Sequence, residues 1–164
     1  MPRTPWTALA AVFFAGAVPA QNDDPAMHTQ HMAAATTPTP TRDMRRAVKF
    51  PAPLKLHTLA NMRDHLLALQ EIQQALAQAD YGRAADIAEW RIGMSSLGLH
   101  GAHEVSKYMP REMRDTGSAM HRAASRFSIA ASDAGATGDV KPALAALGDV
   151  MAACVACHAG YHFK

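Results

Sequence analysis

Cys154-Val155-Ala156-Cys157-His158 ends six residues before the C-terminus of a 164-residue chain and contains both of its cysteines. The stretch is C-x-x-C-H, the pattern that attaches a c-type haem. Positions i, i+3 and i+4 of a helix share one face, so both sulfurs can form thioethers to the haem vinyl groups while the imidazole reaches the iron from the same side. The motif therefore predicts one covalent haem c, held by Cys154 and Cys157, with His158 as the proximal iron ligand.

Three other uses of a cysteine pair explain these residues less well. A redox C-x-x-C is expected at the start of a helix, where the helix dipole lowers the thiol pKa, whereas this pair lies near the end of the last predicted helix. A structural zinc site needs four ligands, and the chain has no second cysteine pair. A disulfide fits an oxidising compartment but leaves the adjacent His158 without a role.

The N-terminus has the pattern of a secretory signal peptide. Arg3 supplies a positive charge, Trp6 to Val18 form an apolar run, and Val18-Pro19-Ala20 places small residues at a cleavage site. We expect cleavage near Ala20, which removes residues 1–20 and leaves a periplasmic protein. The apolar run is shorter than the roughly 20 residues that span a bilayer, and we expect no other segment to be long enough.

Residues 21–53 differ in composition from the rest of the chain. They are rich in Thr, Pro and Ala, with Thr37-Pro38-Thr39-Pro40 at the centre and no apolar periodicity. Because repeated prolines remove amide donors, we predict a disordered linker. Met27-His28 and His31-Met32 supply ligands that suit copper. Since no rigid element sets their geometry, we favour a polar tail over a metal site there.

From Leu54 onward, apolar residues recur at intervals of three or four, which predicts helices. The first is expected from about Leu54 to Ala79. The second begins after Asp80, a suitable N-cap, and ends near Leu97, and residues 98–108 form a connector. The apolar stripe of the first helix consists of Leu59, Met62, Leu66, Leu69, Ile72 and Leu76.

Two further helices complete the predicted domain. The third begins at Pro110, which a first helical turn tolerates, and ends at Gly135-Ala136-Thr137-Gly138. Asp139 is expected to cap the fourth, whose apolar stripe includes both cysteines. Four helices with short loops predict an all-α fold for residues 54–164, an antiparallel up-and-down four-helix bundle with the haem between helices near the motif. No alternating run predicts a sheet.

Alanine dominates the apolar stripes of the second and fourth helices. Small side chains leave volume between helices, and an empty cavity costs about 24 cal/mol per Å³. A haem in that volume would remove the cost, so we expect its burial to contribute to folding.

The domain resembles the class II cytochromes c, the family of cytochrome c prime and its low-spin members. The resemblance covers about residues 54–164 and rests on the C-x-x-C-H of the last helix, on Tyr161, and on the run Leu147-Gly148-Asp149-Val150-Met151-Ala152-Ala153. It implies a four-helix bundle around one haem. The family usually has Arg or Lys directly after the tyrosine, where this chain has His162, with Lys164 as a candidate replacement.

In that family the first helix covers the distal face of the haem, which makes Met62 and Leu59 the residues of interest here. If the Met62 sulfur binds iron, the haem is six-coordinate with a His/Met ligand pair, which raises the reduction potential and suits electron transfer. If Leu59 covers the iron instead, the site is open to NO or CO. Met62 is alternatively a core residue that fills a gap, and a histidine is a further candidate for the distal ligand.

Five histidines that precede the motif lie in or between the predicted helices, and each is more readily explained as hydrogen-bonded or solvent-facing than as an iron ligand. They are His57, His65, His100, His103 and His121. Lys55, Arg63 and Arg91 are candidates to neutralise the haem propionates.

Charge and motifs exclude several function classes. The chain has a formal net charge of +2 and no run of Lys or Arg, which disfavours nucleic acid and membrane surfaces as partners. It has no glycine-rich phosphate loop, nucleophile elbow or H-E-x-x-H motif, which disfavours a hydrolytic or nucleotide-using enzyme. A peroxidase-like enzyme would need a distal acid–base pair, and the sequence assigns none, so we do not expect an enzyme. The predicted function is electron transfer with redox proteins as partners, and the alternative is a five-coordinate haem protein that binds NO or CO. The resemblance also implies a homodimer as one arrangement.

Overall fold

The computed structural model describes residues 42–164, and the predicted signal peptide and most of the predicted linker lie outside them. The described chain is mostly helical, which confirms the all-α prediction in its main part. The elements in chain order are strand β1 (Arg46–Val48), helices α1 (Ala52–Ala77) and α2 (Tyr81–Arg91), a 3-10 helix (Met94–Ser96), helices α3 (Ala102–Ser106), α4 (Arg111–Thr137) and α5 (Lys141–Gly160), and strand β2 (Tyr161–Phe163).

The helix ends follow local chemistry. The Asp80 side chain accepts a hydrogen bond from the backbone N–H of Arg83, which confirms the predicted cap of α2. Gly138 adopts a left-handed conformation with φ of 77° and ends α4, as glycine does after a helix. The cap predicted at Asp139 is wrong by one residue, because Val140 precedes α5 while the Asp139 carboxylate accepts from the N–H of Lys141.

The second helix is shorter than the prediction, since α2 ends at Arg91 and not near Leu97. The chain then turns through Gly93 into the 3-10 helix, and the Ser96 hydroxyl bonds back to the Gly93 carbonyl at 2.7 Å. Serine side chains that bond to nearby backbone compete with a continuous helix. The predicted helix end was too late because the apolar periodicity continues into a segment whose polar side chains favour turns.

The largest core is built from α1, α2, α4 and α5, and it is lean as predicted. Alanines make up half of the buried apolar residues of the described chain, and Phe127, which is fully buried, is the largest side chain among them. Small side chains let helices approach closely but fill little volume between them. The members of this core include Ala68, Ile72, Ala84, Ala88, Ala124, Phe127, Ala131, Ala143, Leu147 and Val150.

The buried face of α1 differs from the predicted stripe. Leu66 is 71% exposed, and Leu59, Met62 and Leu69 are only partly buried. The residues that α1 buries are Thr58, His65, Ala68, Ile72 and Ala75. The predicted stripe was therefore right for Leu69, Ile72 and Leu76, which belong to or pack against the core, and wrong for its N-terminal part, because Leu59, Met62 and Leu66 line a cavity instead.

The structure contains a small sheet that the sequence did not predict. Strands β1 and β2 pair in parallel, with Arg46 opposite Tyr161 and Val48 opposite Phe163. Val48 and Phe50 are buried, and the Phe50 and Phe163 rings have centroids 4.9 Å apart. The linker boundary at Pro53 was therefore wrong, since the ordered chain includes the segment before α1. Strands of three residues are too short to carry a recognisable alternation.

Helix α5 is long and apolar enough to cross a membrane by length and composition, with a mean hydropathy of 1.6. The expectation that no segment beyond the N-terminus has this length was wrong. In the structure, α5 places Ala143, Leu147 and Val150 in the core that it shares with α4. Most of the remaining residues of α5 are not buried, so length and composition alone do not distinguish a membrane span from a helix that packs through one face.

Candidate functional site

A cavity of about 510 Å³ lies where α1 faces the C-terminal end of α5. This volume is within the roughly 300–1,000 Å³ of small-molecule and cofactor sites. Its lining is mostly apolar and brings together the residues that the sequence singled out. These are Leu59 and Met62 from α1 and Cys154, Cys157 and His158 from α5.

Both cysteines are half-buried free thiols on this cavity. Burial raises the pKa of the Cys154 thiol, and burial together with the neighbouring Cys154 raises the pKa of the Cys157 thiol. Redox-active cysteine pairs have lowered pKa values, because the thiolate is the reactive form. Neutral thiols on an apolar wall therefore fit attachment to a hydrophobic group better than thiol–disulfide exchange.

His158 lies in the last turn of α5, exposed to solvent and on the cavity lining. The helix ends two residues later, and β2 then pairs with β1. The parallel pairing fixes the direction in which the chain leaves the motif, and the N–H of Lys164 donates to the carbonyl of Val48 at 3.0 Å. The segment before α1 thus supports the end of the helix that carries the motif.

The distal prediction named Met62 and Leu59, and the structure brings both to the cavity that holds the motif. Each is partly buried on α1. Their positions are three apart, so they occupy adjacent turns of one helix face. The same cavity is also lined by Met109, Met113 and Met120, which the sequence did not single out as ligands. Met113 and Met120 are seven residues apart on α4, which is about two helical turns, and this spacing was the available signal.

The basic residues proposed for the propionates do not line this cavity. The Arg91 guanidinium donates to the carboxylates of Asp64 and Glu71, at 3.2 and 2.6 Å, and ties α2 to α1. The Lys55 ammonium donates to the Lys164 carbonyl at 2.9 Å. Arg63 is exposed and also outside the lining. All three basic residues thus lie outside the lining of the cavity that contains the motif.

Within residues 42–164, Arg45 is the only lysine or arginine that lines this cavity. Its guanidinium donates to both carboxylate oxygens of Asp43 and, at 3.3 Å, to the backbone carbonyl of His158. The Arg45 side chain lowers the pKa of the Asp43 carboxyl, mainly through these hydrogen bonds. The sequence missed Arg45 because it falls inside the predicted linker, where no periodicity marks a structural role.

Three histidines that the sequence treated one by one meet between α1, α4 and the connector. The Nε2 atoms of His65 and His100 lie 3.4 Å apart, and the His121 ring is close to both. His65 is 6% exposed, and burial with two histidine neighbours lowers its pKa to about 4. All three rings line a second cavity of about 310 Å³, and His65 and His121 also line the first.

Comparison with protein-family models, with curated proteins and with solved structures finds no match to this chain. What the site can do is therefore argued from its own residues.

Proposed function

We propose that the protein is an exported c-type cytochrome that carries one covalent haem and transfers electrons. The observation that carries the proposal is that Cys154, Cys157 and His158 line one mostly apolar cavity, which Met62 also lines. C-x-x-C-H prescribes this cofactor, and the volume of the cavity lies within the range of cofactor sites. Bound haem would supply an iron that changes oxidation state.

The chain's own residues would hold and tune that group. Cys154 and Cys157 would form the thioethers, and the imidazole of His158 would bind the iron. The apolar walls exclude water, which favours the less charged ferrous state and raises the reduction potential. Arg45 supplies positive charge beside His158, where it can pair with a haem carboxylate.

The fold supports the same proposal at a finer level. Helices α1, α2, α4 and α5 share one core, Cys154 packs against it, and residues of α1, α4 and α5 line the cavity. An antiparallel up-and-down four-helix bundle with a cofactor between its helices is the arrangement expected from the resemblance to class II cytochromes c. We propose this arrangement for the domain, and the periplasm as its location.

Met62 is the proposed sixth ligand of the iron. It lies on α1 and lines the same cavity as the motif, and a His/Met ligand pair suits outer-sphere electron transfer. The presence of Leu59 on the same wall favours a second candidate function. If Leu59 covers the iron without bonding, the five-coordinate haem binds NO or CO.

One set of spectra separates these two functions. The oxidised protein should show the near-infrared charge-transfer band of a methionine-to-iron bond, and the reduced protein should be low-spin and slow to bind CO. A reduced protein that is already high-spin and takes up CO without hindrance would replace electron transfer by gas binding, with Leu59 as the residue that controls access.

A further inference from the structure

The histidine cluster is built from three separate parts of the chain. His65 lies on α1, His100 in the turn that precedes α3, and His121 on α4. His65 is buried, and the other two are partly buried. The ring centroids are 4.7 Å apart for His65 and His100, 5.5 Å for His100 and His121, and 6.1 Å for His65 and His121. Three neighbouring imidazoles in one partly buried cluster are an unusual use of polar groups in a core.

The outer nitrogen of two rings already has a partner. His100 Nδ1 lies 3.3 Å from the hydroxyl of Ser96, and His121 Nδ1 is hydrogen-bonded to the backbone carbonyl oxygen of Ile92. The carbonyl can only accept, so His121 carries its proton on Nδ1 and leaves Nε2 as a lone-pair donor. Histidines that bind metals usually have their second ring nitrogen fixed in this way.

The spacing of the rings matches that of ligands around one ion. For metal–nitrogen bonds of about 2.0–2.1 Å in a tetrahedron, two ligand nitrogens are about 3.3 Å apart and two ring centroids about 5.2 Å apart. His65 Nε2 and His100 Nε2 are hydrogen-bonded at 3.4 Å, so binding of one ion by both requires the proton between them to move to an Nδ1 atom. The three centroid distances bracket the tetrahedral value, and each differs from it by less than about 1 Å.

The three rings are close to a ligand set but do not form a closed one. As placed, no group of three or more His, Cys, Asp or Glu side chains anywhere in residues 42–164 is arranged to hold a metal ion. Closing the set requires the His65–His100 contact to open slightly and His121 to approach both rings. These are side-chain movements, and the second cavity next to the cluster leaves space for them.

We propose that His65, His100 and His121 bind one divalent transition-metal ion of the borderline class, such as Zn²⁺ or Cu²⁺. Three imidazoles are the ligand set that suits these ions, and the second cavity would leave a fourth position for water or a small ligand. The site goes beyond the proposed electron transfer and does not depend on haem. Because His65 and His121 also line the first cavity, the ion would lie beside the proposed cofactor.

The protonation state of the three rings suits the binding of a cation. Burial lowers the pKa of all three imidazoles, so they are neutral and ready to ligate near pH 7. Asp64 and Arg91 both lie near the cluster and are paired with each other, so their opposite charges largely offset one another there.

The test titrates the full protein, as isolated and freed of metal by a chelator, with Zn²⁺ in a calorimeter. The His28→Gln, His31→Gln double variant serves as the parent, since it removes histidines of the tail. We expect one Zn²⁺ per chain. His65→Gln and His121→Gln should each weaken binding about 100-fold or more, because loss of an outer partner alone costs roughly 10- to 100-fold. His103→Gln, three residues from His100 and 87% exposed, should change nothing.

Histidine-ring nitrogen NMR of the reduced parent protein gives a readout that does not need a variant to fold. Zn²⁺ should shift the Nε2 resonances of His65, His100 and His121 together and leave that of His103 in place. Absence of a stoichiometric Zn²⁺ site in the parent, or binding that both cluster variants retain, would overturn the proposal. So would Zn²⁺-induced shifts confined to other histidines.

Discussion

The guanidinium of Arg45 donates a hydrogen bond to the backbone carbonyl of His158 at 3.3 Å, which joins a segment before α1 to the last turn of α5. The two residues are 113 positions apart in the chain. The pairing of β1 with β2 and the contact between Lys55 and the Lys164 carbonyl hold the same two regions together. The C-x-x-C-H motif is therefore supported by residues from the opposite end of the described chain.

Replacing Arg45 should change the reduction potential of the proposed haem. Arg45→Ala would remove a positive charge beside His158, the proposed proximal ligand, which favours the ferric state and lowers the reduction potential. Because Arg45 is exposed and already paired with Asp43, we expect a decrease on the order of tens of millivolts that shrinks at high salt. Potentiometric titration measures this decrease.

Two controls accompany the Arg45→Ala variant. Arg45→Lys should keep the reduction potential close to that of the wild type, and Arg126→Ala, at an exposed position of α4, should leave it unchanged. An unchanged potential in Arg45→Ala would remove Arg45 from the site.

Replacing Met62 should leave the sixth coordination position of the proposed haem iron free. Met62→Ala is expected to abolish the near-infrared charge-transfer band, lower the potential and allow rapid CO binding to the reduced protein, since the thioether ligand is lost. Stopped-flow mixing with CO and the oxidised spectrum measure both effects. Met44→Ala is the matched control, because Met44 is 86% exposed and does not line the cavity. If Met62→Ala keeps the band, another residue binds the iron.

Limited proteolysis should locate the start of the ordered domain. The sequence predicts cleavage within residues 21–53, but Val48 and Phe50 are buried and β1 is paired, so the resistant fragment should begin near Asp43 and not at Leu54. Mass spectrometry of the fragment gives its first residue. Val48→Asp, which places a charge in the small core beside Phe163, should move the cleavage sites toward α1. A wild-type fragment that begins at Leu54 would contradict the observed pairing.

Acid should destabilise the metal-free protein through His65. Burial lowers its pKa from 6.5 to about 4, so the unfolded chain takes up this proton at a higher pH than the folded chain. The contribution of neutral His65 to the free energy of unfolding is complete above pH 6.5. It decreases as the pH falls from 6.5 to about 4, and below that pH it no longer changes. The shift corresponds to roughly 3 kcal/mol, which denaturant unfolding across that range measures. His65→Gln should flatten the slope and His103→Gln should preserve it. A wild-type stability that does not change across this range would contradict the buried neutral imidazole.

The helices were predictable from the sequence, but the face that α1 buries was not. Period and apolar content place Leu59, Met62 and Leu66 on one stripe, and the same pattern serves a packed core or a cofactor cavity. The structure resolves the difference because the small residues Ala68 and Ala75 make the close helix contacts. The predicted haem and signal peptide stay predictions, since they depend on motifs alone.

The long-range features were beyond single-sequence reasoning. His65 and His100 are 35 residues apart, and nothing in the local pattern of either indicates that their rings meet. Arg45 and β1 were assigned to the linker because proline-rich composition extends close to them. In each case the contact depends on how distant segments pack, which local propensity and periodicity do not encode.

The most direct test of the account is whether haem remains attached to the denatured protein. The purified protein is extracted with acidified acetone, and the residue is examined as the pyridine haemochrome. We predict that the pigment stays with the polypeptide and has a c-type spectrum, that a Cys154→Ala, Cys157→Ala double variant loses it to the organic phase, and that Val155→Ala, at an exposed position inside the motif, retains it. Wild-type protein that carries no haem, or that releases it into the acetone, would contradict the central claim.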